Sequence, residues 1–172
     1  MHEILWPERY LPGTTDNFVS NEVIVKGLTA AEIWPFLNDT TYWPGYYKNV
    51  SAIGFENNGG PALSAGARFS FKTFQFPIEA EVTEYVPSVD GQPARLAWHA
   101  WMDGDANTEL DVLHAWLIED LPGSRVRVLT QESQLGKPAQ EMAVALPNPM
   151  LNAHQDWLNG LIRTALEKRN VR

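Results

Sequence analysis

Alternation with a period of two dominates the middle of the chain. In NEVIVKG, Val23 and Val25 fall on one side and Glu22, Ile24 and Lys26 on the other, so the run reads as a strand with one buried face. GARFSFKTF sets Phe69, Phe71 and Thr73 against Arg68 and Lys72, and FPIEAEVTEYV sets Ile78, Ala80 and Val82 against Glu79, Glu81 and Thr83. ARLAWHAWM sets Leu96, Trp98 and Ala100 against Arg95, Ala97, His99 and Trp101. LDVLHAWLIED groups Val112, His114, Trp116 and Ile118, and SRVRVLTQES groups Val126, Val128, Thr130 and Glu132 opposite Arg125 and Arg127. Between these last two runs, LPGS is a turn signal, and ENNGGP and VPSVDGQP punctuate like hairpin turns. A tight hairpin joining the Phe69 and Ile78 runs sets Lys72 across from Glu79, a pairing that contributes about 0.2–1 kcal/mol.

Two segments follow the helical period instead. In GLTAAEIWPFLNDTTYWPGYYKNV, Thr29 and Glu32 have capping-box spacing, and Ala30, Ile33, Trp34 and Leu37 share a stripe. Pro35 removes a backbone donor, and Pro44 with Gly45 stops a continuous helix, so two short helices are expected. Near the carboxyl end, Asn148 suits an N-cap and Pro149 the first helical position. Met150, Trp157, Leu161 and Ala165, widened by Leu158 and Ile162, form one face opposite Asn152, Asp156, Asn159 and Arg163. A long amphipathic helix over 148–168 follows. Residues 1–19 carry Trp6, Tyr10 and Phe18 and are expected to form an ordered arm laid over the domain.

The predicted class is α+β: a curved antiparallel sheet of about six or seven strands wrapped on a long C-terminal helix, in a single domain over 1–172. Composition narrows the functions. A net charge of −8 with scattered Lys and Arg argues against nucleic acid. The chain has no cysteine, hence no disulfide, thiol nucleophile or thiolate metal site. No apolar run approaches the roughly 18 residues of a membrane span, and the charged, proline-bearing amino terminus does not resemble a signal peptide. A cytoplasmic monomer or homodimer is expected.

His114, Thr130 and Glu132 are polar residues on otherwise apolar faces, with His114 across from Thr130 or Glu132 depending on the LPGS loop. His154 lies one turn before Trp157 on the apolar stripe of the last helix. His99 shares a face with Arg95 and reads as outward. DGDANTE is rejected as a calcium loop, because Thr108 stands where glycine is required and His114 where the closing Glu belongs. There is no phosphate loop around NNGG, no Gly-x-Ser-x-Gly elbow and no zinc-ligand spacing among the histidines, so no metal and no cofactor are expected.

NEVIVKGLTAAEIWPFLNDTTYWPGYY, LSAGARFSF, HAWLIEDLPGSRVRVLTQESQLG and HQDWLNGLIRTAL together resemble the SRPBCC superfamily, also called the START or helix-grip fold. The resemblance spans roughly Ser20 to Leu166 and is strongest to the polyketide-cyclase/dehydrase-like branch. It implies a deep apolar cavity between sheet and long helix, roofed by the two short helices. Trp34, Trp43, Tyr46 and Tyr47 would form a mobile aromatic lip, with the arm closing part of it. Phe69, Phe71, Ala80, Trp98, Trp116 and Leu161 would add apolar wall, together with Trp157, while Thr130, His114, Glu132 and His154 would add polar groups. The implied function is binding of a hydrophobic small molecule such as a lipid, polyketide or aromatic metabolite. The alternative is a polyketide cyclase or dehydratase using His114, Glu132 or His154 for proton transfer.

Overall fold

The computed structural model describes residues 1–89 and 91–170. Seven strands form one antiparallel sheet: β1 (Asn17–Lys26), β2 (Val50–Phe55), β3 (Arg68–Thr73), β4 (Phe76–Val86), β5 (Ala94–Met102), β6 (Leu110–Leu121) and β7 (Arg125–Leu135). Their spatial order is β1-β7-β6-β5-β4-β3-β2, so only the β1–β7 pair joins strands distant in sequence. The helices are α1 (Ala30–Asn38), α2 (Trp43–Tyr46), α3 (Lys137–Val144) and α4 (Pro149–Arg169). Among the described residues no helix is long and apolar enough to cross a membrane.

Local chemistry sets the element ends. Thr29 and Glu32 form a complete capping box, and Asn148 accepts from the Met150 and Leu151 amides at the start of α4. One sheet face, with Leu96, Trp98, Trp116, Val126 and Val128, packs with α1, α2 and α4 into the main core. Gly160 lets α4 approach α2, because a Cβ there would overlap the Tyr46 carbonyl oxygen.

Several expectations are corrected. The β3–β4 turn consists of Phe74 and Gln75, with φ of 50° and 70°, which matches a two-residue primed turn without its usual glycine. That turn sets Lys72 across from Pro77 and Ser70 across from Glu79, so the Lys72–Glu79 pairing does not form. The neighbouring Arg68 instead faces Glu81, 3.6 Å apart. ENNGGP lies between the antiparallel neighbours β2 and β3, but their connection is longer than a tight turn, running to Arg68 and burying Leu63. In VPSVDGQP, Val89 bridges Gln92, and Asp90 lies outside the described residues.

The amino-terminal arm is shorter than expected, since β1 begins at Asn17, and it lies on the other face of the sheet. Ile4 and Trp6 pack there against Ala97, Ala115, Leu117 and Leu129, so the arm does not reach the lip. Arg127, placed by alternation on a solvated face, is buried beneath it. Its guanidinium donates to Glu22 at 2.6 Å, to Glu119 at 2.9 Å and to the His2 carbonyl at 2.7 Å. Tyr10 donates to Asp111 at 2.6 Å, and burial together with that hydrogen bond pushes its phenol up to about 12. His99 is on this face too, 2.8 Å from Asp111.

Candidate functional site

Between the inner sheet face, α3 and α4 lies a cavity of about 430 Å³. Phe71, Ile78, Trp98, Ala100 and Val112 supply its sheet wall, and Met150 and Trp157 its α4 wall. Tyr47 stacks on Trp157 with ring centroids 4.4 Å apart and closes one end. Burial raises the Tyr47 phenol, so its hydroxyl stays protonated at neutral pH. The most exposed lining residues are Phe74 and Phe76 on the β3–β4 hairpin and Glu141 on α3. They mark the mouth.

One patch of this wall is polar. The β6–β7 register sets His114 directly across from Glu132, and α4 brings His154 down onto both. His114 Nδ1 is 3.2 Å and His154 Nε2 3.3 Å from the same oxygen, Glu132 Oε2. The two imidazoles stack at 4.4 Å with 17° between their planes. Nε2 of His114 is 2.8 Å from the Thr130 hydroxyl, and Gln134 donates to Glu132 Oε1. Behind Gln134, Asn17 donates to its amide oxygen at 2.6 Å, and Asn148 donates to Asn17 at 2.9 Å. The polar chain thus runs from the edge strand β1 and the cap of α4 to the cavity wall.

Burial holds His114 well below the usual histidine range, and the neighbouring His154 adds to the effect, so this imidazole is neutral. A neutral imidazole beside a buried carboxylate can accept or release a proton toward a bound molecule. Two imidazole nitrogens and a carboxylate oxygen also form a metal-capable donor set, with the three ligand atoms within 4.8 Å of one another. Local spacing missed this set because each donor comes from a different element.

Of the expected cavity residues, Phe71, Trp98, His114, Glu132, His154 and Trp157 line the wall. Trp34, Trp43, Tyr46, Phe69, Ala80, Trp116 and Leu161 are buried in the packed core around it, and Thr130 stands behind His114. The aromatic lip is therefore a plug. Trp43 is fully buried against Trp98 and Trp157, and its indole donates to the Leu37 carbonyl at 2.9 Å. The Tyr46 hydroxyl donates to the Phe36 carbonyl, also at 2.9 Å. Sequence reasoning missed α3, whose Pro138, Met142 and Ala145 line the mouth. The one usable signal was Pro138 in the first turn after Gly136.

No protein-family model matches the chain, and no curated protein matches it. The crystal structure of hypothetical protein jhp0584 from Helicobacter pylori is similar over 96% of this chain and 97% of that one, with 47% identity and a TM-score of 0.91. Norcoclaurine synthase from Thalictrum flavum, in complex with dopamine and hydroxybenzaldehyde, matches over 97% of this chain and 98% of its own, at 10% identity and a TM-score of 0.62. The di-domain ARO/CYC BexL from the BE-7585A biosynthetic pathway matches over 84% of this chain and 45% of its own, at 12% identity and a TM-score of 0.57. Likeness at 10% and 12% identity is one of fold. With 47% identity to the Helicobacter pylori protein across nearly all of both chains, the chain belongs to one family with jhp0584, and its architecture is the helix-grip fold of the SRPBCC (START-like) proteins.

Proposed function

We propose that the protein binds a hydrophobic small molecule, a lipid, polyketide or aromatic metabolite, in the cavity between sheet and α4. The observation that carries this reading is the wall itself: about 430 Å³ lined by aromatic and aliphatic side chains, with its deep polar atoms gathered at His114, Glu132 and His154. Ligand sites commonly combine an apolar cavity of roughly 300–1,000 Å³ with a few placed polar groups. The apolar wall would hold the body of the ligand, and a hydroxyl, carbonyl or carboxyl would meet the polar patch. Mass spectrometry of what co-purifies with the native chain tests this. An apolar compound recovered from the folded protein and absent from a cavity-filled Ala100→Phe variant supports it, and equal recovery from both contradicts it.

A second reading is favoured by one contact set, the approach of both imidazoles to Glu132 Oε2. A cyclase or dehydratase of the polyketide type would use neutral His114, Glu132 and His154 to move a proton within the bound substrate. Glu132→Gln separates the two. A carrier keeps most of its affinity, whereas an enzyme loses turnover far more than binding.

A further inference from the structure

We propose that His114, Glu132 and His154 hold a divalent transition metal of zinc type at the inner wall of the cavity. This goes beyond the ligand reading and does not depend on it. The donor atoms are of the right kind: two imidazole nitrogens and one carboxylate oxygen, all within 4.8 Å of one another. The two nitrogen–oxygen separations, 3.2 and 3.3 Å, are near the edge of about 3.3 Å expected between tetrahedral ligands bound at roughly 2.0–2.1 Å. Both separations end on one atom, Glu132 Oε2, which His114 Nδ1 and His154 Nε2 approach together.

Charge points the same way. Glu132 is 5% exposed, and among the described residues the basic side chains that reach it are the two histidines, with no Lys or Arg. A buried carboxylate without a cation is costly, and a divalent ion offsets that cost. His154 is 1% exposed, and its Nδ1, the nitrogen not directed at Glu132, has no hydrogen-bond partner. The other two ligands are held from behind. Thr130 meets His114 Nε2 at 2.8 Å, and Gln134, itself held by Asn17, donates to the free oxygen of Glu132. Such outer partners orient metal ligands and fix the tautomer. All three side chains line the cavity, so the remaining coordination positions face it. Three protein ligands with an open position are the arrangement in which zinc polarises a bound oxygen. A ligand carbonyl, carboxylate or hydroxyl would occupy that position.

The test is a titration of the full-length, chelator-treated protein with Co²⁺, read by visible absorption, followed by displacement with Zn²⁺. One Co²⁺ per chain, with the intense bands of a four-coordinate ion, displacement by Zn²⁺ and a raised melting temperature are expected. Glu132→Gln and His154→Gln should each weaken uptake at least tenfold, while the outer-face His2→Ala and His99→Ala leave it unchanged. Near-UV circular dichroism establishes that each variant is folded. Should the buried variants unfold, a His2→Ala/His99→Ala double variant that keeps stoichiometric four-coordinate binding upholds the site. The proposal is overturned by absence of stoichiometric uptake, by uptake unchanged in the folded Glu132→Gln protein, or by uptake lost with the outer histidines.

Discussion

His154 Nε2 on α4 stands 3.3 Å from Glu132 Oε2 on β7, so the long helix meets the sheet through a polar contact inside a mostly aromatic interior. That contact should couple the two elements energetically. Glu132→Ala removes the carboxylate that both imidazoles approach and leaves the buried Gln134 amide without its acceptor, a loss of roughly 1–3 kcal/mol. Combined with His154→Ala in a double-mutant cycle, the pair should show an interaction energy of roughly 0.5–3 kcal/mol in urea melts. Additive losses would mean that the helix is placed by packing alone.

The arm should matter to stability and not to the cavity. Ile4 is buried against Leu117 and Leu129, on the face away from Trp98 and His114. Ile4→Ala should therefore cost about 2–4 kcal/mol, at the cavity-forming end of such truncations. Affinity for an apolar probe should be unchanged in the folded variant. Loss of affinity in a protein that still melts cooperatively would return the arm to the binding site.

The outer face also predicts an acid dependence. Burial pushes the Glu119 carboxyl up, but hydrogen bonds from His2 and Arg127 together outweigh it and hold the group below its ordinary value. A carboxyl depressed in the folded state contributes stability that is present above its unfolded value and is lost as pH falls through the folded one. The stability gap between the native protein and Glu119→Gln should thus be widest near neutrality and close below about pH 4. Melts from pH 7 to 3 read it directly, and a gap that widens on acidification would contradict the assignment.

Much of the fold was legible because its signals are local. Alternation identified the buried faces of the strands, the Thr29–Glu32 box opened α1, and Asn148-Pro149 opened α4. The β3–β4 register was not legible, since Phe74 and Gln75 adopt positive φ without a glycine or asparagine to announce it. Nor was the side taken by the arm: Trp6 and Tyr10 signal burial, but both sheet faces bury apolar side chains. At the site, the sequence singled out His114, Glu132 and His154 as polar residues on apolar faces. Their convergence depends on strand register and helix docking, which are set by contacts distant in sequence. Trp43, expected at the lip, belongs to the core because it packs against Trp98 and Trp157, contacts no local pattern reports.

The central claim is that the space bounded by Trp98, Ala100, Val112 and Trp157 takes up an apolar ligand. Titration with a panel of fatty acids, sterols and polycyclic aromatics, read by tryptophan fluorescence, tests it most directly. At least one compound should saturate and raise the melting temperature, since only the folded state binds. Ala100→Phe should weaken that binding at least tenfold, for a stability cost of about 1–3 kcal/mol. Saturation by none of the panel, or an affinity unaltered in folded Ala100→Phe, would contradict the claim.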